Sequence, residues 1–327
     1  MILGIDIGGA NTKIASSDGK LVELHYLPLW NKSKLQESLL DISSRLVPEK
    51  VGVVITGELA DCFPDKDAGL SYIIDVVNKA FDDAWFLDSS GTFTKEKRRS
   101  IAAANWMASS LIVGRDFGDS IFVDTGSTTT DIIPIKNGKP LAAVTDFQRL
   151  RKSELVYSGA LRTNIAALLH IVELSGASYR TSSELFAITA DAYIVLGMIS
   201  QENYTCDTPD GAGKTVLDAR RRLARLVCAD LTELKEEDIV SIAHQVMEKQ
   251  VMDIADAINE VATKHELETI VACGLGEFLL KKAADELGFD IILMSEKYGK
   301  ELSTVFPAYA VSRLVEEFKI HYHQGIS

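Results

Sequence analysis

Two stretches of this 327-residue chain repeat the same residues at the same spacing. Asp6-x-Gly8-x-x-x-Thr12 and Asp124-x-Gly126-x-x-x-Thr130 each follow an apolar run, ILGID and SIFVD, and Ile14 and Ile132 extend the match past the turn. In GIDIGGANTK, Gly8 and Gly9 allow close approach of the backbone to a ligand, while Asn11, Thr12 and Lys13 offer donors to phosphate oxygens. In VDTGSTTTD, the stretch Thr125, Gly126, Ser127, Thr128 and Thr129 sets hydroxyls and backbone N–H groups where they can wrap an anion. One such turn alone reads equally well as an ordinary hairpin, since tight turns favour Asp, Gly and Thr for conformational reasons. The matched pair points to a phosphate clamp, with Asp6 and Asp124 facing each other across a cleft. Two carboxylates beside a polyphosphate suit hydrated Mg²⁺, a hard cation that prefers oxygen ligands. The competing role of those carboxylates is to cap turn N–H groups.

Four further features could contribute to chemistry. Glu58, in the TGE that follows the VGVVI run, falls at the carboxyl end of a strand, where open α/β sheets collect ligands; it also reads as a solvated loop glutamate. Gly274 and Gly276, between a strand and a helix in ACGLGEFLLKKA, either admit an anion to the helix N-terminus or serve close packing. Arg162, in SGALRTN, can reach an anionic group, and the turn-rich CDTPDGAGK loop supplies Asp207 and Lys214. The run Arg220, Arg221, Arg222 with Arg225 reads as a solvated helix face rather than a site.

The elements that must hold these residues follow an α/β pattern. Short β-branched runs alternate with amphipathic stretches as far as SIFVD, with helices over Leu35–Leu46, Tyr72–Phe81 and Ile101–Val113. The pattern then restarts with TDIIPI, the turn pair Asn137-Gly138 and PLAAVT as a strand meander. This divides the chain into an N-terminal domain, 1–117, and a C-terminal domain, 118–327. The second domain carries a helical insertion at about 153–264 and closes through TIVAC, the helix 277–287, DIILM and a last helix from Ala308 to Phe318.

Composition narrows the function classes. Apolar residues at 46% and charged residues at 25% suit an ordinary globular protein rather than a disordered or fibrous one. A formal charge of −13 opposes binding to a nucleic-acid backbone, which depends on Lys and Arg displacing counterions. Four scattered cysteines without a CxxC pair argue against disulfides and cysteine-held zinc, and the histidines show no HExxH spacing. No signal peptide and no bilayer-length apolar run is evident, so a cytoplasmic location is expected, with neither membrane nor nucleic acid as a partner. The sequence offers no interface, and a homo-oligomer stays open.

Both turns, the GLG after a strand and the closing FPAYAVSRL, in this order, resemble the superfamily of acetate and sugar kinases, heat-shock chaperones and actin over nearly the whole chain. That resemblance implies two actin-like (ribonuclease H-like) α/β domains with the ligand cleft between them. The set GIDIGGANTK, VITGEL, VDTGSTTTDIIPI, SGALRTN, DAYIVLG and DTPDGAGK is similar to the hydantoinase/oxoprolinase-related branch linked to tetrahydromethanopterin-dependent one-carbon metabolism. The branch includes a transferase of methanofuran biosynthesis that joins a furan diphosphate, an aminomethylfuran-methyl diphosphate, to γ-glutamyltyramine as an aryl ether and releases diphosphate. The resemblance implies that Gly8, Gly9, Asn11, Thr12, Lys13 and 125–129 bind the diphosphate and that Asp6 and Asp124 hold Mg²⁺. By the same reasoning Arg162, Asp207, Lys214, Gly274 and Gly276 form a second ligand-binding region. A phenol with a pKa near 10, roughly that of tyrosine, needs a base, for which Glu58, Asp131 and Asp207 are candidates. An ATP-dependent small-molecule kinase and a nucleotide-switched assembly protein are the rival readings of the same clamp.

Overall fold

In the computed structural model, which describes residues 1–324, the chain opens with three strands, β1 (Ile2–Ile7), β2 (Asn11–Ser16) and β3 (Val22–Tyr26). Then follow α1 (Lys32–Leu46), β4 (Lys50–Ile55), α2 (Lys66–Ala80), β5 (Ala84–Leu87), β6 (Phe93–Thr94) and α3 (Asn105–Phe117). The six strands form one sheet in the order β3-β2-β1-β4-β5-β6, with β1 antiparallel to β2 and parallel to β4. Alternation along β1 decides its two faces. Leu3, Ile5 and Ile7 join Val51, Val53 and Ile55 in a core covered by Leu35, Leu39 and Ile42 of α1 and Leu70, Ile73 and Val77 of α2. Burial of these side chains against the sheet, at about 25 cal/mol per Å² of apolar surface, is the main force holding the helices in place.

The chain continues with β7 (Ser120–Thr125), β8 (Thr130–Lys136), β9 (Lys139–Pro140), α4 (Asp146–Arg151), β10 (Leu155–Val156) and α5 (Ile165–Leu168). Asn137 and Gly138 both have positive φ, 53° and 70°, as a type I′ turn requires, and pair Lys136 with Lys139. The strand expected over PLAAVT stops at Pro140. Proline offers no N–H to a ladder, and Thr145 is committed to capping α4 through the Gln148 N–H.

Next come β11 (Ile171–Leu174), β12 (Ala177–Arg180), α6 (Thr189–Val195), α7 (Val216–Arg225), α8 (Glu236–His265), β13 (Thr269–Cys273), α9 (Glu277–Leu287) and β14 (Asp290–Leu293). The last three elements are α10 (Met294–Tyr298), α11 (Lys300–Thr304) and α12 (Phe306–Gln324). A second sheet runs β10-β8-β7-β13-β14, with β9 on β8. The stretch read as a helical insertion also contains a separate hairpin, β11 with β12. Only Val172 and Leu174 of that hairpin are buried, on a core with Leu223, Ile239, Ile242 and Val246. Three exposed residues for every apolar anchor leave little strand signal in the sequence.

Compact units follow contacts rather than chain order. One comprises Met1–Phe122, Ile133–Lys152 and Leu293 onward, the other Val123–Ile132 and Ser153–Ile292. The sequence pattern had assigned everything from 118 onward to a second domain. The C-terminal segment instead belongs with the first unit for a steric reason. Gly4 and Gly52 are register partners on β1 and β4, and together make a side-chain-free patch on the sheet. Helix α12 lies on that patch so closely that a Cβ on Gly4 would run into the Ala308 carbonyl, and one on Gly52 would come 2.8 Å from the Val311 carbonyl. Among the described residues no helix is long and apolar enough to cross a membrane.

Gly4→Ala is therefore expected to cost about 1–3 kcal/mol of unfolding free energy, the usual range for overpacking a tight core. Urea denaturation of the purified variant checks this, and an unchanged midpoint would show that α12 can lift off the sheet without loss.

Candidate functional site

In the first unit, the turn joining β1 to β2 is closed by the Gly8 N–H donating to the Asn11 carbonyl at 2.9 Å. The register places Asp6 opposite Lys13 and Ile7 opposite Thr12, and the Lys13 ammonium lies 3.5 Å from the Asp6 carboxylate. Asp6 is buried, whereas Gly8, Gly9, Asn11 and Lys13 are half-buried at the turn. A Cβ on Gly9 would meet no atom within 4 Å, so no neighbouring protein atom demands glycine there. Thr12, expected as a phosphate donor, is fully buried, and its hydroxyl has no hydrogen-bond partner among the described residues.

The TGE segment abuts this turn. The N–H groups of Thr56 and Gly57 both donate to the Ile7 carbonyl, at 2.9 and 3.1 Å, and a Cβ on Gly57 would lie 2.8 Å from the Gly8 carbonyl. That contact fixes where Glu58 begins. Glu58 is 2% exposed, so the solvated-loop reading fails. Its Oε1 lies 3.5 Å from the Lys66 ammonium, and its Oε2 has no hydrogen-bond partner among the described residues. Burial raises the carboxyl above the usual carboxylate range; Lys66 pulls it down, and Asp146 adds to the rise.

In the second unit the equivalent turn is closed by the Gly126 N–H donating to the Thr129 carbonyl, again at 2.9 Å. The segment 158–162 packs on it and is held in turn by α8 and α6. The Ala160 N–H donates to the Gly126 carbonyl, and the Leu161 and Arg162 N–H groups both donate to the Ser127 carbonyl. Gly159 sits against the Thr128 backbone so tightly that a Cβ there would be 2.5 Å from the Thr128 nitrogen. From α8, the Gln250 amide donates to the Ser158 hydroxyl at 2.7 Å and the Gly159 carbonyl at 2.9 Å, and its own carbonyl accepts from the Tyr193 hydroxyl. Thr130, the counterpart of Thr12, donates to the Ser158 carbonyl at 2.8 Å and pairs with the Thr125 hydroxyl at 3.2 Å. Thr125 and Thr130 thus build the turn, while Gly126, Ser127, Thr128 and Thr129 are half-buried at its rim.

Gly274 and Gly276 act by close packing. Both are buried, and the Gly276 N–H donates to the Thr125 carbonyl at 2.9 Å. A Cβ on Gly274, whose φ is +94°, would strike the Asp124 carboxylate, and one on Gly276 would strike the Thr125 side chain. These glycines bring the start of α9 against the carboxyl end of β7. Asp131, one of the candidate bases, is buried in β8 opposite Leu155.

Arg162 lies next to the turn, with its Nη1 3.5 Å from the Thr128 hydroxyl. Lys214 stands 5.4 Å over the Tyr204 ring, and Asp207 is exposed on the same loop. Burial pushes the Cys206 thiol up to about 11, against the opposing charges of Arg162 and Lys214. The arginine run departs from expectation. Arg221 and Arg225 are exposed, but Arg222 is fully buried, with its Nη2 2.7 Å from an equally buried Asp191. A run of arginines carries no mark that separates a buried member from solvated ones; the nearest signal is the helical spacing of Ala219, Arg222 and Leu223 on the buried face of α7.

The donor chemistry at both turns fits Mg²⁺. Asp6 and Asp124 are buried carboxylates, each at the end of a strand that leads into a half-buried turn, and hard oxygen ligands are what this cation takes. Asp124 also sits in a cradle that a Cβ on Gly274 would fill.

Comparison with known proteins gives the chain its family. The model for hydantoinase/oxoprolinase proteins matches residues 49–318. The chain belongs to the hydantoinase/oxoprolinase family. Within it, the chain is 42% identical to the (4-{4-[2-(gamma-L-glutamylamino)ethyl]phenoxymethyl}furan-2-yl)methanamine synthase of Methanocaldococcus jannaschii, over 97% of this chain and 98% of that one. It is 39% identical to a protein of the same name from Methanococcus vannielii, over 60% of this chain and 90% of the relative. Among solved structures it is similar to a ROK family glucokinase from Streptomyces griseus, with TM-score 0.51 and 12% identity over 97% of this chain and 99% of that one. It also resembles acetone carboxylase, with TM-score 0.52 and 14% identity, over 92% of this chain and 51% of that one. The family member described here therefore has the actin-like, sugar-kinase fold that its paired turns led us to expect.

The buried Glu58 gives a pH-dependent prediction. Its folded pKa is raised, so the stability linked to its protonated form is fully present below the unfolded value and is lost as pH rises through the folded value. Glu58→Gln, neutral throughout, is expected to melt with the native protein in acid and above it near pH 8. A variant melting lower near pH 8 would mean that the Lys66 pair outweighs desolvation.

Proposed function

We propose that the chain is a transferase that condenses an aminomethylfuran-methyl diphosphate with γ-glutamyltyramine, forming an aryl ether and releasing diphosphate, in methanofuran biosynthesis. The observation that carries this reading is the 42% identity, over nearly the full length of both chains, to a synthase named for that ether product. In the reaction the phenol oxygen forms a bond to the furan-bearing methylene carbon as the bond from that carbon to the diphosphate oxygen breaks. The phenol proton passes to a base, and the electron pair of the broken bond leaves with the diphosphate.

Each residue set has a task suited to its setting. The half-buried Gly9, Asn11 and Lys13 of one turn, and Ser127, Thr128 and Thr129 of the other, offer N–H, hydroxyl and ammonium donors to phosphate oxygens, while Gly8 and Gly126, whose N–H groups close the turns, leave room for the phosphate to approach. Asp6 and Asp124 are each proposed as a ligand of Mg²⁺, which when bound supplies positive charge beside a departing diphosphate. Glu58, whose carboxyl burial raises above the usual carboxylate range, is the proposed base for the phenol. Arg162, Asp207 and Lys214 carry the charges that match the amino-acid end of γ-glutamyltyramine, which holds one ammonium and one carboxylate. Four unclustered cysteines support a reducing, cytoplasmic setting for this chemistry.

The deciding experiment mixes protein, Mg²⁺, the furan diphosphate and γ-glutamyltyramine without ATP, and follows diphosphate release and the mass of the ether. Ether formation in step with diphosphate is expected; a product that forms only with ATP would return the protein to the kinases. In the same assay Asp124→Asn is expected to raise the Mg²⁺ concentration for half-maximal rate by about 10- to 100-fold, the range seen when a metal's surroundings are disturbed. An unchanged Mg²⁺ dependence would remove Asp124 from the metal site.

A further inference from the structure

The buried arginine of α7 has a geometry that a merely stabilising ion pair does not require. Arg222 Nε and Nη2 both donate to Asp191 Oδ1 of α6, at 2.9 and 2.7 Å. Its remaining terminal nitrogen, Nη1, faces the Cys206–Lys214 loop, donating to Asp210 Oδ1 at 3.1 Å and to the Gly213 carbonyl at 3.0 Å. Arg225, one turn further along α7, donates to the other Asp210 oxygen at 2.7 Å. Asp191 also accepts from the Tyr204 hydroxyl at 3.0 Å and from the Ile188 N–H at 3.1 Å. One guanidinium thus ties a helix to the loop at Asp210 and Gly213, and through Asp191 to Tyr204 just before it.

Burying this pair costs desolvation energy that the fold could avoid with apolar residues, so its presence calls for a reason in specificity. Burial opposes the charge on Arg222, but the hydrogen bonds and charge of Asp191 outweigh it and raise the arginine's pKa, so the clasp stays cationic. Only a planar fork with several fixed donors can hold a carboxylate on one side and a carboxylate plus a carbonyl on the other; a lysine ammonium cannot span both. The loop held in this way has no helix or strand of its own, and Asp207 and Lys214 lie near its two ends.

We propose that Arg222 is a positioning residue for acceptor selection: with Asp191 and Asp210 it sets the Cys206–Lys214 loop so that Asp207 and Lys214 meet the ammonium and carboxylate of the acceptor's amino-acid end. This rests on the synthase reading given above. The clasp itself touches no reacting atom. Loosening it weakens acceptor binding and leaves the diphosphate end and the chemical step alone.

Asp210→Asn tests this without disturbing the Asp191 pair, because Asp210 lies on the loop and is a quarter exposed. The assay is first run on the native protein, then hydrogen exchange and steady-state kinetics are compared for the native protein, Asp210→Asn and Arg222→Lys. In Asp210→Asn, exchange should quicken across 206–214, the melting temperature should hold, and the KM for γ-glutamyltyramine should rise about tenfold, as expected from losing charge-assisted hydrogen bonds. The KM for the furan diphosphate and kcat should stay within about twofold, well under the tenfold that 1.4 kcal/mol represents. Arg222→Lys should move the same parameters further in the same direction, and if it folds poorly Asp210→Asn carries the test alone. Unchanged exchange in the loop overturns the clasp. Faster exchange with an unmoved acceptor KM, or a fall in kcat instead, overturns the role in acceptor selection. A native protein that makes no ether brings down the synthase reading and acceptor selection with it, while the exchange data still decide whether Arg222 holds the loop.

Discussion

One backbone hydrogen bond, made once in each unit, organises each candidate turn: a glycine N–H at the start of the turn donates to the carbonyl three residues on, at 2.9 Å in both cases. Closing the turn this way leaves Asp6 and Asp124 one residue before the last buried positions of their strands, Ile7 and Thr125, and puts the turn residues that follow at the rim. It also gives the repeated threonine an inward place. In the second unit Thr130 uses that place to bond the Ser158 carbonyl, and in the first Thr12 is equally buried. The Asp-Gly-Thr spacing therefore records a way of building a turn.

Glycine serves two different ends around these turns. Gly57, Gly159, Gly274 and Gly276 are needed because another part of the chain passes where a Cβ would be. Each brings a neighbouring segment hard against a turn or its strand, so backbone groups are satisfied by protein and the rim is held rigid. Gly9 differs, since a Cβ there would meet nothing. That open space is consistent with the close ligand approach proposed for Gly9.

What could be read from the sequence follows the range over which each feature is determined. The turns, the Asn137-Gly138 reversal and the helix Glu277–Leu287 depend on residues within a few positions of one another, and the structure has them as read. The Gly4–Gly52 patch that receives α12 depends on register between two strands and on a helix near the other end of the chain. The two readings of Glu58, strand-end ligand residue or solvated loop glutamate, could not be separated in the sequence because its burial is set by α2, whose Gly69 packs on the Glu58 backbone. Arg222 looked solvated for a similar reason. Its partner Asp191 lies on another helix, and nothing in either segment alone announces the pair.

These ranges bear on how one fold can serve both phosphoryl transfer and attack at carbon. A turn that offers N–H and hydroxyl donors to a phosphate does not distinguish a terminal phosphoryl group from a diphosphate leaving group, since both present the same oxygens. The reaction is chosen by what stands on the far side of the bond that breaks. In this chain the parts proposed for that choice are the buried carboxylate of Glu58 in the TGE segment and an irregular loop held by α7. Neither is a regular element of either sheet. Likeness to a glucokinase at 12% identity therefore carries the fold alone and leaves the chemistry to residues that the shared architecture does not determine.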